Sequence, residues 1–154
     1  MVIGGALAND MAGDRRNKSI ATGLGAFVGG VIGQNIGAQL DERDRLFENE
    51  IGFVIYDKYP VNEGHCLVIP KRVYSEYFDS TPEEIKGLNE LLFKTKDYLD
   101  KEYKPTGYNI GINCGEDSGQ TVFHLHIHII PRYKGDVDDP TGGVRGVIPS
   151  KQKY

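Results

Sequence analysis

Three of the four histidines in this 154-residue chain fall within one short run, Phe123-His124-Leu125-His126-Ile127-His128-Ile129-Ile130. Side chains alternate along a strand, so His124, His126 and His128 share one face while Leu125, Ile127 and Ile129 share the other. The apolar face belongs against a core, which fixes the register and holds the imidazoles in place. Imidazole serves as metal ligand, acid or base, or nucleophile. Neighbours in the row are roughly 6.6 Å apart, and His124 and His128 about 13 Å, a poor match to one tetrahedral zinc. No carboxylate or cysteine flanks the row at the spacing of familiar zinc motifs. A metal-dependent hydrolase is therefore the weaker reading, and no metal ligand is assigned.

The polar loop Asn113-Cys114-Gly115-Glu116-Asp117-Ser118-Gly119-Gln120-Thr121 leads into the row. Such a loop is usually only a turn. Immediately before three histidines, however, Gly119 allows close backbone approach, and exposed N–H groups with Gln120 and Thr121 suit an anion. A phosphate cradle beside a nucleophile is the chemistry these residues suggest.

Several elements must position this pair. Gly52-Phe53-Val54-Ile55-Tyr56 and Cys66-Leu67-Val68-Ile69 are apolar runs joined by turn chemistry, so they predict a hairpin. Thr81-Pro82-Glu83-Glu84 predicts a helix start, with Thr81 as N-cap and Glu84 closing a capping box. Ile85, Leu88, Leu91, Leu92 and Leu99 form its apolar stripe, and Pro105-Thr106-Gly107 ends it. Tyr108–Asn113 and Phe123–Ile130 read as further strands, and 133–154 as a long irregular tail. The fold class is α+β: an antiparallel sheet of about five strands with one main helix.

Composition bounds the rest. A net charge of -4 carries no basic excess, so nucleic acid is not the expected partner, and an anionic substrate must be held by local donors. Cys66 and Cys114 form no close pair. They read as two buried structural thiols of a reducing, cytoplasmic compartment. Near Leu40 the composition changes, dividing a glycine-rich segment (1–40) from the main domain (41–154). Gly25, Gly29, Gly33 and Gly37 recur every four residues, and a helix there would put them near one face. The stretch resembles the glycine-zipper segments of small bacterial envelope proteins and offers a membrane contact through residues 20–40. Thr22, Gln34, Asn35 and Gln39 interrupt its apolar run and weaken a spanning reading. Met1–Ala8 lacks a preceding basic region and does not read as a signal peptide.

The run Gly119–Arg132, with Gly64-His65-Cys66-Leu67-Val68-Ile69-Pro70 and Ile55-Tyr56-Asp57 upstream, resembles the histidine-triad (HIT) family over roughly residues 45–154. The resemblance implies a HIT-like fold, a homodimer whose sheets join, and hydrolysis or transfer at a nucleotide α-phosphorus through a covalent nucleotidyl-histidine. It implies His126 as the nucleophile and His128 as donor to the phosphate oxygens. His124 and His65 would orient and polarise them. Asp57 would hold the ribose, and Asn113, Gln120 and Thr121 would contact the phosphate and leaving group. No cofactor is required, although the substrate's phosphates can carry a divalent metal. Pro131-Arg132 and Tyr133-Lys134-Gly135-Asp136 look like members that cleave dinucleoside polyphosphates such as diadenosine tetraphosphate, with nucleoside phosphoramidates as the close alternative. A nucleotide-binding module with little turnover is the rival from another class. Three departures stand out: no Cys-x-x-Cys pair, a glycine-rich stretch in place of the usual leading segment, and Gly146 where relatives often carry an aromatic.

Overall fold

The computed structural model describes residues 42–154. The glycine-rich segment, with its expected helix, zipper and membrane contact, lies outside the described residues. Among the described residues, no helix is long and apolar enough to cross a membrane.

Five strands make one antiparallel sheet: β1 (Arg45–Glu48), β2 (Gly52–Tyr56), β3 (Cys66–Pro70), β4 (Gly107–Gly111) and β5 (Ile127–Arg132). Their order is β1-β2-β3-β5-β4, so β1 and β4 are the edges. The helix α1 (Pro82–Glu102) packs across one face. It starts as the sequence spells: Glu84 N–H donates to Thr81 Oγ1 at 3.1 Å, and Thr81 N–H donates to Glu84 Oε1 at 2.9 Å. Two orphan donors of the first turn are thereby satisfied. Leu88, Leu91 and Leu99 are buried, while Ile85 and Leu92 are half-buried. They meet Val54, Cys66, Val68, Leu125, Ile127 and Ile129 from the sheet. Each fully buried aliphatic side chain contributes about 1.5–3 kcal/mol. The other sheet face carries Phe53, Ile55, Leu67 and Ile69, also buried.

Pairing of β1 with β2 slips between Arg45 and Phe47, so Leu46 sits in a bulge. A bulge re-aims the residues around it. Phe47 meets Tyr98 of α1 edge-on at 5.4 Å, whereas the Arg45 guanidinium lies 4.3 Å above the Phe53 ring on the opposite face.

The last strand departs from the expected Phe123–Ile130. It begins at Ile127, paired with Val68, because the preceding backbone bonds elsewhere: Leu125 N–H donates to the Tyr74 carbonyl at 2.8 Å. The fourth strand ends at Gly111, short of the expected Asn113. The tail is more ordered than its composition suggested, with 3-10 turns at Gly143–Val147 and Pro149–Lys151. Strand β1, a four-residue piece, had no separate signal in the sequence.

Candidate active site

The site grows from two neighbouring pieces of backbone. The first is the β2–β3 turn, where Asp57 N–H donates to the His65 carbonyl at 2.9 Å and closes the loop between them. Gly64, at φ +89, permits that closure, and a Cβ there would press on Pro131, Leu99 and Tyr103 at 3.1–3.2 Å. The second piece is the entry to β5, which carries His124, His126 and His128.

Hydrogen bonds assign each ring's tautomer. Val61 N–H donates to His65 Nδ1 at 3.1 Å, so that nitrogen keeps its lone pair and the ring proton sits on Nε2. His65 Nε2 lies 2.9 Å from His128 Nδ1 and 3.4 Å from Asp57 Oδ2. It donates to His128, whose own proton is thereby placed on Nε2. His126 Nδ1–H donates to the His124 carbonyl at 2.9 Å, leaving a lone pair on Nε2. The His126 and His128 ring centres are 5.3 Å apart. A ring nitrogen with a lone pair thus stands beside a ring N–H donor, a pairing suited to attack on a phosphoryl group.

Burial holds all four rings neutral. It pushes His126 down to about 3, helped by neighbouring His128, and His128 to about 3, helped by His65. His65 and His124 are each pushed down to about 4. Burial raises the Asp57 carboxyl, against the Tyr59 N–H that donates to it at 2.8 Å.

The expected common row of three imidazoles needs correction. His126 and His128 adjoin, but His124 is 0% exposed and its Nε2 donates to the Pro70 carbonyl at 2.8 Å. The ring that joins His128 from outside the row is His65. Gln120 also differs from a simple phosphate contact. It is 2% exposed, its Nε2 donates to the Ser75 and Val122 carbonyls, and its Oε1 accepts from Gly115 N–H. Its amide thus fastens the loop, with Gly115 and Gly119 both at positive φ. Asn113, Gly119 and Thr121 lie exposed on that loop. Cys66 is buried and its thiol pushed up to about 12, whereas Cys114 is only half-buried, against expectation. Val61 and the Pro70 carbonyl escaped the sequence reading because they act through backbone, which leaves no residue-type signature.

Asp57, His65 and His128 each offer one donor atom, all within 4.8 Å of one another, a spacing a cation could bridge. The proton on His65 Nε2 occupies the centre of that group. Moving it to Nδ1 would set it against the Val61 N–H, so the donor set fits a proton better than a metal.

The family model for the HIT domain matches residues 40–135. The structure resembles a HIT family protein of Bacillus anthracis, with TM-score 0.61 and 36% identity, covering 68% of this chain and 73% of that one. The bis(5'-nucleosyl)-tetraphosphatase [asymmetrical] of Schizosaccharomyces pombe is 42% identical over 94 residues, 61% of this chain and 52% of that protein. The bis(5'-adenosyl)-triphosphatase of Dictyostelium discoideum is 37% identical over 94 residues, 61% of this chain and 63% of its own. The chain therefore spans about half to under two thirds of these two relatives. Domain match, sheet and helix agree, and the chain belongs to the HIT family.

Proposed function

We propose that this chain hydrolyses dinucleoside polyphosphates, of the diadenosine tetraphosphate type, in two steps through a nucleotidyl-histidine on His126. One observation carries the reading: the His124 carbonyl fixes the His126 proton on Nδ1 and leaves Nε2 a neutral nucleophile at pH 7. In the first step Nε2 attacks the α-phosphorus, and the bond to the bridging oxygen breaks. The leaving phosphate chain departs as an anion. In the second, water attacks the phosphorus, the P–N bond breaks and a nucleoside monophosphate leaves. His128 Nε2–H donates to non-bridging oxygens as charge develops there. Asp57 takes the ribose hydroxyls, while Gly119, Thr121 and Asn113 frame the phosphates on the loop that Gln120 fastens from beneath. The relatives named as tetraphosphatase and triphosphatase support the substrate class, and nucleoside phosphoramidates remain the second substrate within it.

Two copies would join through the exposed edge of β4, where Ile110 is exposed, extending both sheets into one. The free cysteines favour a cytoplasmic setting.

The test is turnover of diadenosine tetraphosphate and an adenosine phosphoramidate by wild type and His126→Ala, with acid-quenched samples searched for nucleotidylated protein. Wild type should turn over and His126→Ala should lose activity by at least about 10⁴-fold. Undiminished turnover in the variant would remove the mechanism. Tight nucleotide binding without wild-type turnover would make the chain a binding module. Phosphoramidate turnover abolished by chelator would make it a metal enzyme.

A further inference from the structure

The outer half of the β2–β3 turn, which carries Val61, is not held by packing. Val61 is 68% exposed, and with Asn62 it lines an open cavity of about 560 Å³ rather than a core. The turn closes where His65 N–H donates to the Asn62 carbonyl at 3.1 Å, with Gly64 at positive φ in its third position. A turn this exposed keeps one shape only where polar bonds pin it.

Those bonds come from the end of β5 and the residues after it. Asn62 Nδ2 donates to Asp136 Oδ2 at 2.7 Å and to the Pro131 carbonyl at 3.1 Å, and Tyr133 O–H donates to the Glu63 carbonyl at 2.7 Å. Asp136 is itself fixed. Arg132 Nε and Nη2 each donate to it at 2.8 Å, and Tyr133 N–H donates to it at 2.9 Å. Arg132 Nη1 in turn donates to Asn109 Oδ1 of β4 at 2.6 Å. The Arg132 guanidinium holds the Asp136 carboxyl well below the usual carboxylate range, so it stays an acceptor at neutral pH. An unbroken line of bonds thus runs from Asp136 through Asn62 to His65, which Val61 also holds, and ends on His128.

We propose that Asp136 is a positioning residue for the reaction at His126: acting through Asn62, it holds the Val61 N–H against His65 Nδ1 and so keeps the His65 proton aimed at His128. This rests on the mechanism proposed above and names what keeps its donor aligned. Without Asp136 the Asn62 amide keeps only its longer bond to Pro131, and the turn can carry Val61 away. The His65 proton is then free to sit on Nδ1, which leaves Nε2 bare. His128 must supply the proton between the two rings from its own Nδ1, and its Nε2 loses the hydrogen that would meet the phosphate oxygens.

Two substitutions test this in the full chain. Asp136→Asn keeps the size but loses an acceptor, and Asn62→Ala cuts the link while leaving the Arg132–Asp136 pair whole, which keeps the test open should the first variant fail to fold. Proton–nitrogen correlation spectra of the histidine rings tell a bare nitrogen from one that carries a proton. Wild-type His65 should show the Nε2–H form alone, and both variants should bring in the Nδ1–H form. Their kcat should fall about tenfold with KM within about twofold of wild type. In the His65→Ala background neither should lower kcat further, whereas a general loosening of the fold would cost activity in both backgrounds. Ring spectra unmoved in both variants, or an equal loss of kcat with and without His65, overturns the proposal. The spectra are read without turnover. A displaced proton with no hydrolysis by wild type would therefore remove the proposed activity alone, and hydrolysis with an unmoved proton would remove only the role of Asp136.

Discussion

His65 Nε2 and His128 Nδ1 stand 2.9 Å apart on opposite sides of the β3–β5 pairing, and Val61 decides which of them holds the proton. A backbone N–H of the β2–β3 turn thus sets the direction of a ring proton shared with β5, the strand beside β3. Removing His65 should show how much depends on that direction. We expect His65→Ala to lower kcat by about 10²-fold with a smaller change in KM. The acid limb of its pH profile should move upward, because burial and His65 now hold His128 low and both are relieved. An unchanged profile in steady-state assays across pH 4–8 would remove the positioning role.

Leu125 lies between two of the histidines and points into the core, fully buried. Leu125→Ala should cost about 2–5 kcal/mol by urea denaturation. It should also lose activity, since the backbone that presents His126 is anchored there by the Leu125–Tyr74 bond. Full activity at full occupancy of the folded state would show that the anchor is dispensable.

Stability should fall on acidification above the range where carboxylates titrate. His124 and His126 are held at about 4 and 3 in the fold, against about 6.5 in the unfolded chain. Below pH 6.5 the unfolded chain binds more protons, so stability is full above that pH and declines as pH drops toward 4. Denaturant melts at pH 7.5, 6 and 5 check this, and His124→Gln should flatten the decline.

Gly64→Ala should destabilise by about 1–2 kcal/mol, through the positive φ and the crowding by Pro131, Leu99 and Tyr103. It should also slow turnover, because His65 follows directly. Thermal melts and kcat on the same preparation separate the two effects.

Much of this was legible in residue types. The Thr81–Glu84 box, the leucine stripe and the two apolar runs of the hairpin each specify local geometry through side-chain chemistry, and the fold keeps them. The histidine run told that imidazoles and core would alternate, yet it hid two things. The strand starts four residues later than alternation suggests, since the His124 and Leu125 backbone is bonded to His126 and Tyr74. The ring that completes the cluster comes from 63 positions away, a distance no local pattern reports.

Gln120 spends its whole amide on Ser75, Val122 and Gly115. The contour of the preceding loop is consequently maintained from beneath, by a residue sealed away from solvent. Glu116 and Asp117, both outward-facing, are relieved of shaping it, whereas Ser118 Oγ adds a bond to the Gly115 carbonyl at 2.8 Å. Sequence drift at Glu116 and Asp117 should be tolerated far better than any replacement of the one glutamine under them.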